Sequence, residues 1–312
     1  MSVATEPRVL AETPHRVVID ADWGFARLDP VPDEATLDSF YDSHYRDLLG
    51  RTGRGPDLAR LLSPGAEGQL ERQWLTATVH ADVIDALDRT LAPDAPRTVL
   101  DVGCGTGDLL RSLEMAGWDA RGTEPAEAIA RAGRAAGLQI ATSGARPYLE
   151  EWHANRRPGF GAVTLMNVLE HVPDPVGLLR QILAVLAPGG ALVVRVPNDF
   201  NPLQEAVLRT LGGERWWVVA PDHINYFDHG SLRALLERLG YEVVEQWADY
   251  PMELFLLTGD DYRGRPRLGA KVHHRRRAFE LSLDAATRRA MGRAWAAAGV
   301  GRNAHLVARR PG

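Results

Sequence analysis

The segment Val99-Leu100-Asp101-Val102-Gly103-Cys104-Gly105-Thr106-Gly107 constrains this chain more than any other feature. An apolar, β-branched run stops at three glycines set at alternate positions, and Asp108 then opens a helical pattern. Glycine enters left-handed backbone without steric cost, and the start of the following helix offers free N–H groups. Missing side chains let a ligand lie against the backbone. A tight strand-to-helix turn with no ligand is the plainer reading of the same residues.

Around this turn the pattern alternates. Leu75, Val79, Ile84, Leu87 and Leu91 predict a helix over Gln69–Leu91, before the strand Thr98–Val102. A helix over Asp108–Ala116, a strand over Asp119–Thr123 and a helix with Pro125 in its first turn follow. Strands are expected at Leu138–Thr142, Ala162–Met166, Ala191–Val196, Glu242–Glu245 and His305–Ala308. Helices are expected from Asp174-Pro175 to Pro188-Gly189-Gly190 and over Ser231–Leu239, with a long polar loop at Arg146–Gly159. Residues 1–15 read as a loose lead-in, Glu34–Leu49 as a short helix, and Arg51–Gly68 as a glycine- and proline-rich linker. Such alternation implies an α/β fold, a parallel, doubly wound sheet whose ligands lie beyond the carboxyl ends of the strands.

Composition excludes several classes. With 36 Lys and Arg against 41 Asp and Glu, the net charge is −5, the opposite of a general nucleic-acid binder. No apolar run reaches the ~20 residues that span a bilayer, and no secretory pattern opens the chain. One cysteine, Cys104, allows no disulfide framework and no cysteine-rich metal site. A cytoplasmic enzyme acting on a small molecule, without nucleic acid or membrane, is the expectation; oligomeric state is left open.

A dinucleotide fingerprint, G-x-G-x-x-G, would need glycine where Asp108 stands, and an acidic group there suits a cationic ligand better than a diphosphate. Glu124 ends the second strand 21 residues after Gly103, where a carboxylate can accept from two ribose hydroxyls or favour the helix that follows. Asp101–Gly107 with Glu124 resembles the first motifs of class I S-adenosylmethionine-dependent methyltransferases. The resemblance runs on through Asn167-Val168-Leu169-Glu170-His171-Val172, Leu186-Ala187-Pro188-Gly189-Gly190, Arg195-Val196-Pro197-Asn198 and His223-Ile224-Asn225-Tyr226-Phe227. It is nearest to small-molecule methyltransferases related to ubiquinone-biosynthesis enzymes.

This resemblance implies a Rossmann-like, seven-stranded sheet whose last strand lies antiparallel between the fifth and sixth. It divides the chain into an N-terminal extension and helical lid (1–68), an S-adenosylmethionine-binding core (69–247), a capping insertion (248–301) and a final core strand (302–312). It implies that Asp101, Gly103, Gly105 and Gly107 line the cofactor, that Glu124 takes the ribose, and that Pro125 and Gly144 flank the adenine. Asn167 would face the methionine end, with Arg72 and Tyr41 reaching over from the lid. The implied reaction is methyl transfer to an oxygen or nitrogen, less readily a carbon, of a small metabolite. A nicotinamide-dependent oxidoreductase and a non-catalytic cofactor-binding subunit are the competing readings.

On the acceptor side, His223 is the preferred general base with Asp222 as its orienter, and His171 is the second candidate. Each histidine also reads as a loop brace. Trp216-Trp217 reads as a pocket wall or as lid packing. The basic run Lys271–Arg277 reads as a solvated helix face or a grip on an anion. Adjacent His273-His274 point apart on a helix, so no metal site is expected.

Overall fold

The computed structural model describes residues 8–13, 15–33, 36–37, 60–61 and 65–312. The expected helix at Glu34–Leu49, with Tyr41, lies almost wholly outside them, as does much of the linker.

Strands β4 (Thr98–Val102), β5 (Asp119–Glu124), β6 (Ile140–Thr142), β7 (Phe160–Met166), β8 (Leu186–Pro197), β10 (Glu242–Ala248) and β11 (Asn303–Arg309) form one sheet. Its order is β10-β11-β8-β7-β4-β5-β6. Strand β11 runs antiparallel between β8 and β10, as expected. The central strands are buried on both faces, so they read as continuous apolar runs. Along β4, Val99 enters one core cluster while Leu100 and Val102 enter the other. Helices α1 (Ala66–Leu75), α2 (Ala81–Thr90), α3 (Asp108–Met115), α4 (Glu127–Ala135), α5 (Ala145–Ala154), α6 (Pro175–Val185) and α7 (Pro202–Leu211) flank or extend the sheet, with α8 (His229–Arg238) before β10. Among the described residues no helix is long and apolar enough to cross a membrane.

Several expectations are corrected. The described part of the expected lead-in is not loose: β1 (Val9–Thr13), β2 (His15–Ile19) and β3 (Ala26–Asp29) form a meander. The two-residue strand β9 (Asn225–Tyr226) pairs with β3 and completes a second sheet. Its small core joins Val17 and Leu28 to Tyr226, so apolar residues on both sides of the pairing hold it in place. The polar stretch after residue 145 is helix α5, whose Leu149 and Trp152 are buried. Pro125 precedes the helix rather than opening it, because α4 starts at Glu127 with Ala126 as its cap. Pro188-Gly189-Gly190 lies inside β8, where the pairing with β7 is irregular.

The stretch 248–301 holds three helices, α9 (Glu253–Leu257), α10 (Pro266–Ser282) and α11 (Ala285–Ala297). The basic run on α10 is only half solvated. His273, Arg276 and Arg277 are buried, while Lys271, His274 and Arg275 are exposed. His273 Nε2 lies 2.9 Å from Glu71 and Arg277 donates to Glu71 at 2.8 Å. Trp74 donates to Glu280 at 2.7 Å, and Arg276 bonds Glu280 at 3.2 Å. The run therefore fastens α1 to α10 through carboxylates, because buried cations need partners.

Candidate active site

The glycine turn after β4 sits at the carboxyl edge of the sheet. Gly103, Gly105 and Gly107 have φ of 69°, 56° and 83°, a region that L-residues with side chains enter at a cost. The three are not equivalent. A Cβ at Gly103 would press on Val168 at 2.8 Å, and one at Gly107 on Leu138 at 2.4 Å. A Cβ at Gly105 would meet nothing within 4 Å among the described residues. Packing thus calls for glycine at 103 and 107, and the open cradle is at 105.

Glu124, buried at the end of β5, reaches across to this cradle. One carboxylate oxygen accepts from the Gly105 N–H at 3.1 Å and the other from the Ala126 N–H at 2.9 Å. A single side chain thereby ties the turn to the approach of α4. Asp101 accepts from Thr164 Oγ1 at 2.6 Å, and burial, with Glu124 adding, pushes its carboxyl up to about 7. Asp108 accepts from Thr106. The turn from 101 to 108 carries two carboxylates and no basic residue. An open backbone cradle beside a buried carboxylate, in an acidic setting, fits a cationic nucleoside with vicinal hydroxyls. Gly144 caps α5 next to Ser143, whose N–H bonds the Glu124 carbonyl. Pro125 is exposed beside the same edge.

Beyond β7 the chain takes another strained step. Asn167 has φ of 59°, and its side-chain amide donates to Glu170 at 2.9 Å. Its oxygen accepts from Arg195 on β8, whose other Nη bonds Asp249 at 2.8 Å. Asp249 also faces Asn303 and His305. Sequence reading found neither Arg195 nor Asp249 as supports of the site, since their partners lie in distant strands. Arg72 turns its guanidinium to the Leu61 carbonyl at 2.8 Å.

Two histidines meet beyond β7. The short turn Leu169–His171 is clasped by the loop before β9. Ile224 N–H donates to the Glu170 carbonyl at 2.7 Å, and Asn225 donates to the Leu169 and Val172 carbonyls. The His171 and His223 rings stand edge to face, 5.0 Å apart. Asp222, expected as the orienter of His223, reaches the other ring. Its carboxylate lies 3.1 Å from His171 Nδ1, and its carbonyl 2.8 Å away. Burial disfavours a charged His171, yet the bond to Asp222 and the field of Glu170 outweigh it and raise the ring to about 9. Burial, then the neighbouring His171, depresses His223. The two influences run in opposite directions, favouring the charged form of His171 and the neutral form of His223. His223 Nδ1 is buried without a hydrogen-bond partner. Glu170, His171 and His223 each bring a possible ligand atom within 4.8 Å of the others, a grouping that the sequence reading did not anticipate. Phe200, also left-handed at φ 56°, packs against Trp217 and Tyr226 beside this pair. Trp216 stands edge to face with Trp217, so the two indoles pack together next to Phe200.

A ubiquinone biosynthesis O-methyltransferase of Bordetella avium is 38% identical over 135 residues, 43% of this chain and 55% of that protein. One from Aliivibrio fischeri is 29% identical over 150 residues, 46% of this chain and 62% of its own length. The chain thus spans about half the length of the curated relatives it matches. A SAM dependent methyltransferase structure from Archaeoglobus fulgidus aligns over 74% of this chain and 94% of its own, at 17% identity and a TM-score of 0.48. Residues 75–246, more than half of the chain, match the methyltransferase domain family, and these residues carry both the glycine turn and the histidine pair. The chain belongs to the class I S-adenosylmethionine-dependent methyltransferase family.

Proposed function

We propose that this protein transfers a methyl group from S-adenosylmethionine to an oxygen or nitrogen of a small metabolite and releases S-adenosylhomocysteine. The supporting observation is the open cradle at Gly105 with Glu124 bonded to its N–H, a backbone surface with a ribose acceptor already in position. The cofactor supplies a sulfonium methyl that is already electrophilic. The chain's task is chiefly to hold the acceptor in line with it.

In this reading Glu124 accepts from the ribose hydroxyls, Gly105 gives the cofactor its close approach, and Asn167 faces the methionine end. Asp101 backs the turn. Pro125 and Gly144 flank the adenine. His223 takes the acceptor's proton through its unpartnered Nδ1, which burial keeps neutral. His171, held protonated by Asp222, supplies a fixed positive charge beside it and positions the base. The packed rings of Phe200, Trp217 and Tyr226 would form an apolar wall for the acceptor beside this pair. The relatives' printed names favour oxygen as the methylated atom. The unpartnered base beside a charged partner favours catalysis over a purely cofactor-binding role, and a cytoplasmic setting belongs to the same proposal.

Calorimetric titration tests the reading directly. Saturable binding of S-adenosylhomocysteine and none of NADH is the expected result. Binding of NADH with no response to S-adenosylhomocysteine would revive the oxidoreductase.

A further inference from the structure

Asn167 is held in a costly conformation chiefly by one other residue. Its φ of 59° is left-handed, which asparagine tolerates better than most residues but which the surroundings must still maintain. Arg195 on β8 grips it twice. The Asn167 N–H donates to the Arg195 carbonyl at 2.8 Å, and Asn167 Oδ1 accepts from Arg195 Nη1 at 2.5 Å. The Asn167 amide nitrogen reaches on to Glu170 at 2.9 Å.

The guanidinium has a second end. Its Nη2 donates to Asp249 Oδ2 at 2.8 Å, while its buried Nε has no hydrogen-bond partner among the described residues. The fork is thus a bridge between Asn167 and Asp249. Asp249, the residue after β10, is a fixed anchor. It is buried, accepts from Asn303 at 2.6 Å and lies 2.8 Å from His305 Nε2, both on β11. Arg276 on α10 approaches the same carboxylate at 3.5 Å. Gly301, at φ 116°, packs so close that a Cβ there would stand 2.7 Å from the Asp249 carbonyl. Burial opposes ionisation, yet Arg195, then His305 and Arg276, hold the carboxyl well below its ordinary range. Strand pairing already joins β8 to β7 and to β11, so the sheet itself does not need this bridge. Its distinct effect falls on the strained residue at its other end.

We infer that Arg195, anchored by Asp249, is a positioning residue that holds Asn167 in its left-handed conformation and so sets the affinity for the amino-acid end of the cofactor. The inference rests on the methyltransferase reading, in which Asn167 faces the methionine moiety. Lysine carries the same charge, but a single ammonium lacks the planar fork that reaches two acceptors in fixed directions. The role therefore belongs to the shape of the guanidinium as well as to its charge.

Arg195→Lys keeps a cation beside Asp249 and gives up the bridge. Parent and variant are titrated by calorimetry with S-adenosylhomocysteine and with 5′-methylthioadenosine, which has the nucleoside and thioether but no amino-acid end. Arg195→Lys should bind S-adenosylhomocysteine about tenfold more weakly, as for one lost hydrogen bond, with 5′-methylthioadenosine unchanged. Asp249→Asn leaves the guanidinium in place without its charged anchor and should move the ratio of the two affinities the same way. In an Asn167→Gly background the left-handed angle costs nothing and the side chain is gone. There Arg195→Lys should have no further effect on either ligand, because the two residues act as one unit. Equal weakening of both ligands, or of neither, overturns the inference, as does a further loss in the Asn167→Gly background. A lowered thermal midpoint with the ratio unchanged makes Arg195 a brace and overturns it too. If the parent binds neither ligand, the methyltransferase reading fails along with it; if it binds both and Arg195→Lys leaves their ratio unchanged, only the Arg195 assignment fails.

Discussion

The glycine turn after β4 and the charged seam between α1 and α10 are both rigid, but for opposite reasons. The turn is rigid because its backbone occupies left-handed angles and one carboxylate, Glu124, grips two of its neighbouring N–H groups. Its open side is at Gly105, where an added Cβ would meet no described residue within 4 Å. The seam is rigid because buried cations and carboxylates satisfy one another: Glu71 with His273 and Arg277, and Glu280 with Trp74 and Arg276. Its groups face inward. The turn leaves bonding capacity for a ligand, whereas the seam uses its capacity to join an N-terminal helix to a C-terminal one.

This contrast can be broken from either side. Gly105→Val should show the largest effect. A β-branched side chain would occupy the cradle and resist the left-handed angle, removing S-adenosylhomocysteine binding in calorimetry while circular dichroism stays that of a folded protein. Unchanged affinity would show that the cradle is only a turn. His223→Ala belongs to the ligand-facing side as well. It should lower turnover by about 10²–10⁴ with cofactor affinity unaltered, once an acceptor is in hand. The parent's rate should rise with pH through a group below the ordinary histidine value and change again near pH 9 as His171 loses its proton. Loss of binding and turnover together would make His223 a brace.

The seam should respond in stability. Glu71→Ala leaves buried His273 without its carboxylate and Arg277 with only the exposed Glu67, and should cost about 3–5 kcal/mol in denaturant unfolding. Affinity of the folded protein for S-adenosylhomocysteine should hold, and a variant as stable as the parent would remove the seam from any account of the fold. Glu71 is held below its ordinary value: burial opposes this, but His273, Arg60 and Arg277 prevail. Its contribution is present above the unfolded carboxylate range and is lost as pH falls. Glu124→Ala straddles the comparison, and affinity should drop only about ten- to a hundredfold. An effect smaller than this would leave Glu124 as a clamp on the turn.

The smallest effect expected is a pH dependence. His171 is raised in the folded state, so its stabilising contribution is complete below the unfolded histidine value and fades as pH rises through about 9. Asp222→Asn should flatten that slope in thermal melts. An unaltered slope would mean that another group titrates there.

Much of the architecture was readable without coordinates. Strand and helix periods, the three glycines, and Glu124 at the end of β5 all lie within short windows, where backbone preference and hydrophobic period act locally. The antiparallel last strand followed from family resemblance and is present between β8 and β10. The roles within the glycine triplet were not readable, because Gly103 and Gly107 answer to Val168 and Leu138, which only folding brings near.

Other features were settled by tertiary structure alone. Asp222 reaches His171, because the loop before β9 docks on the turn after β7. The basic run on α10 became a seam because Glu71 and Glu280 meet cations and an indole some two hundred positions away in the chain. His80 reached Ser112 through a π-helical turn that no spacing announces. The sequence by itself determined local conformation, the alternation of elements and the ligand-facing turn, since these depend on neighbours in the chain. Which charge meets which, and which ring holds a proton, depends on burial and on partners from distant segments, and those exist only once the chain has folded.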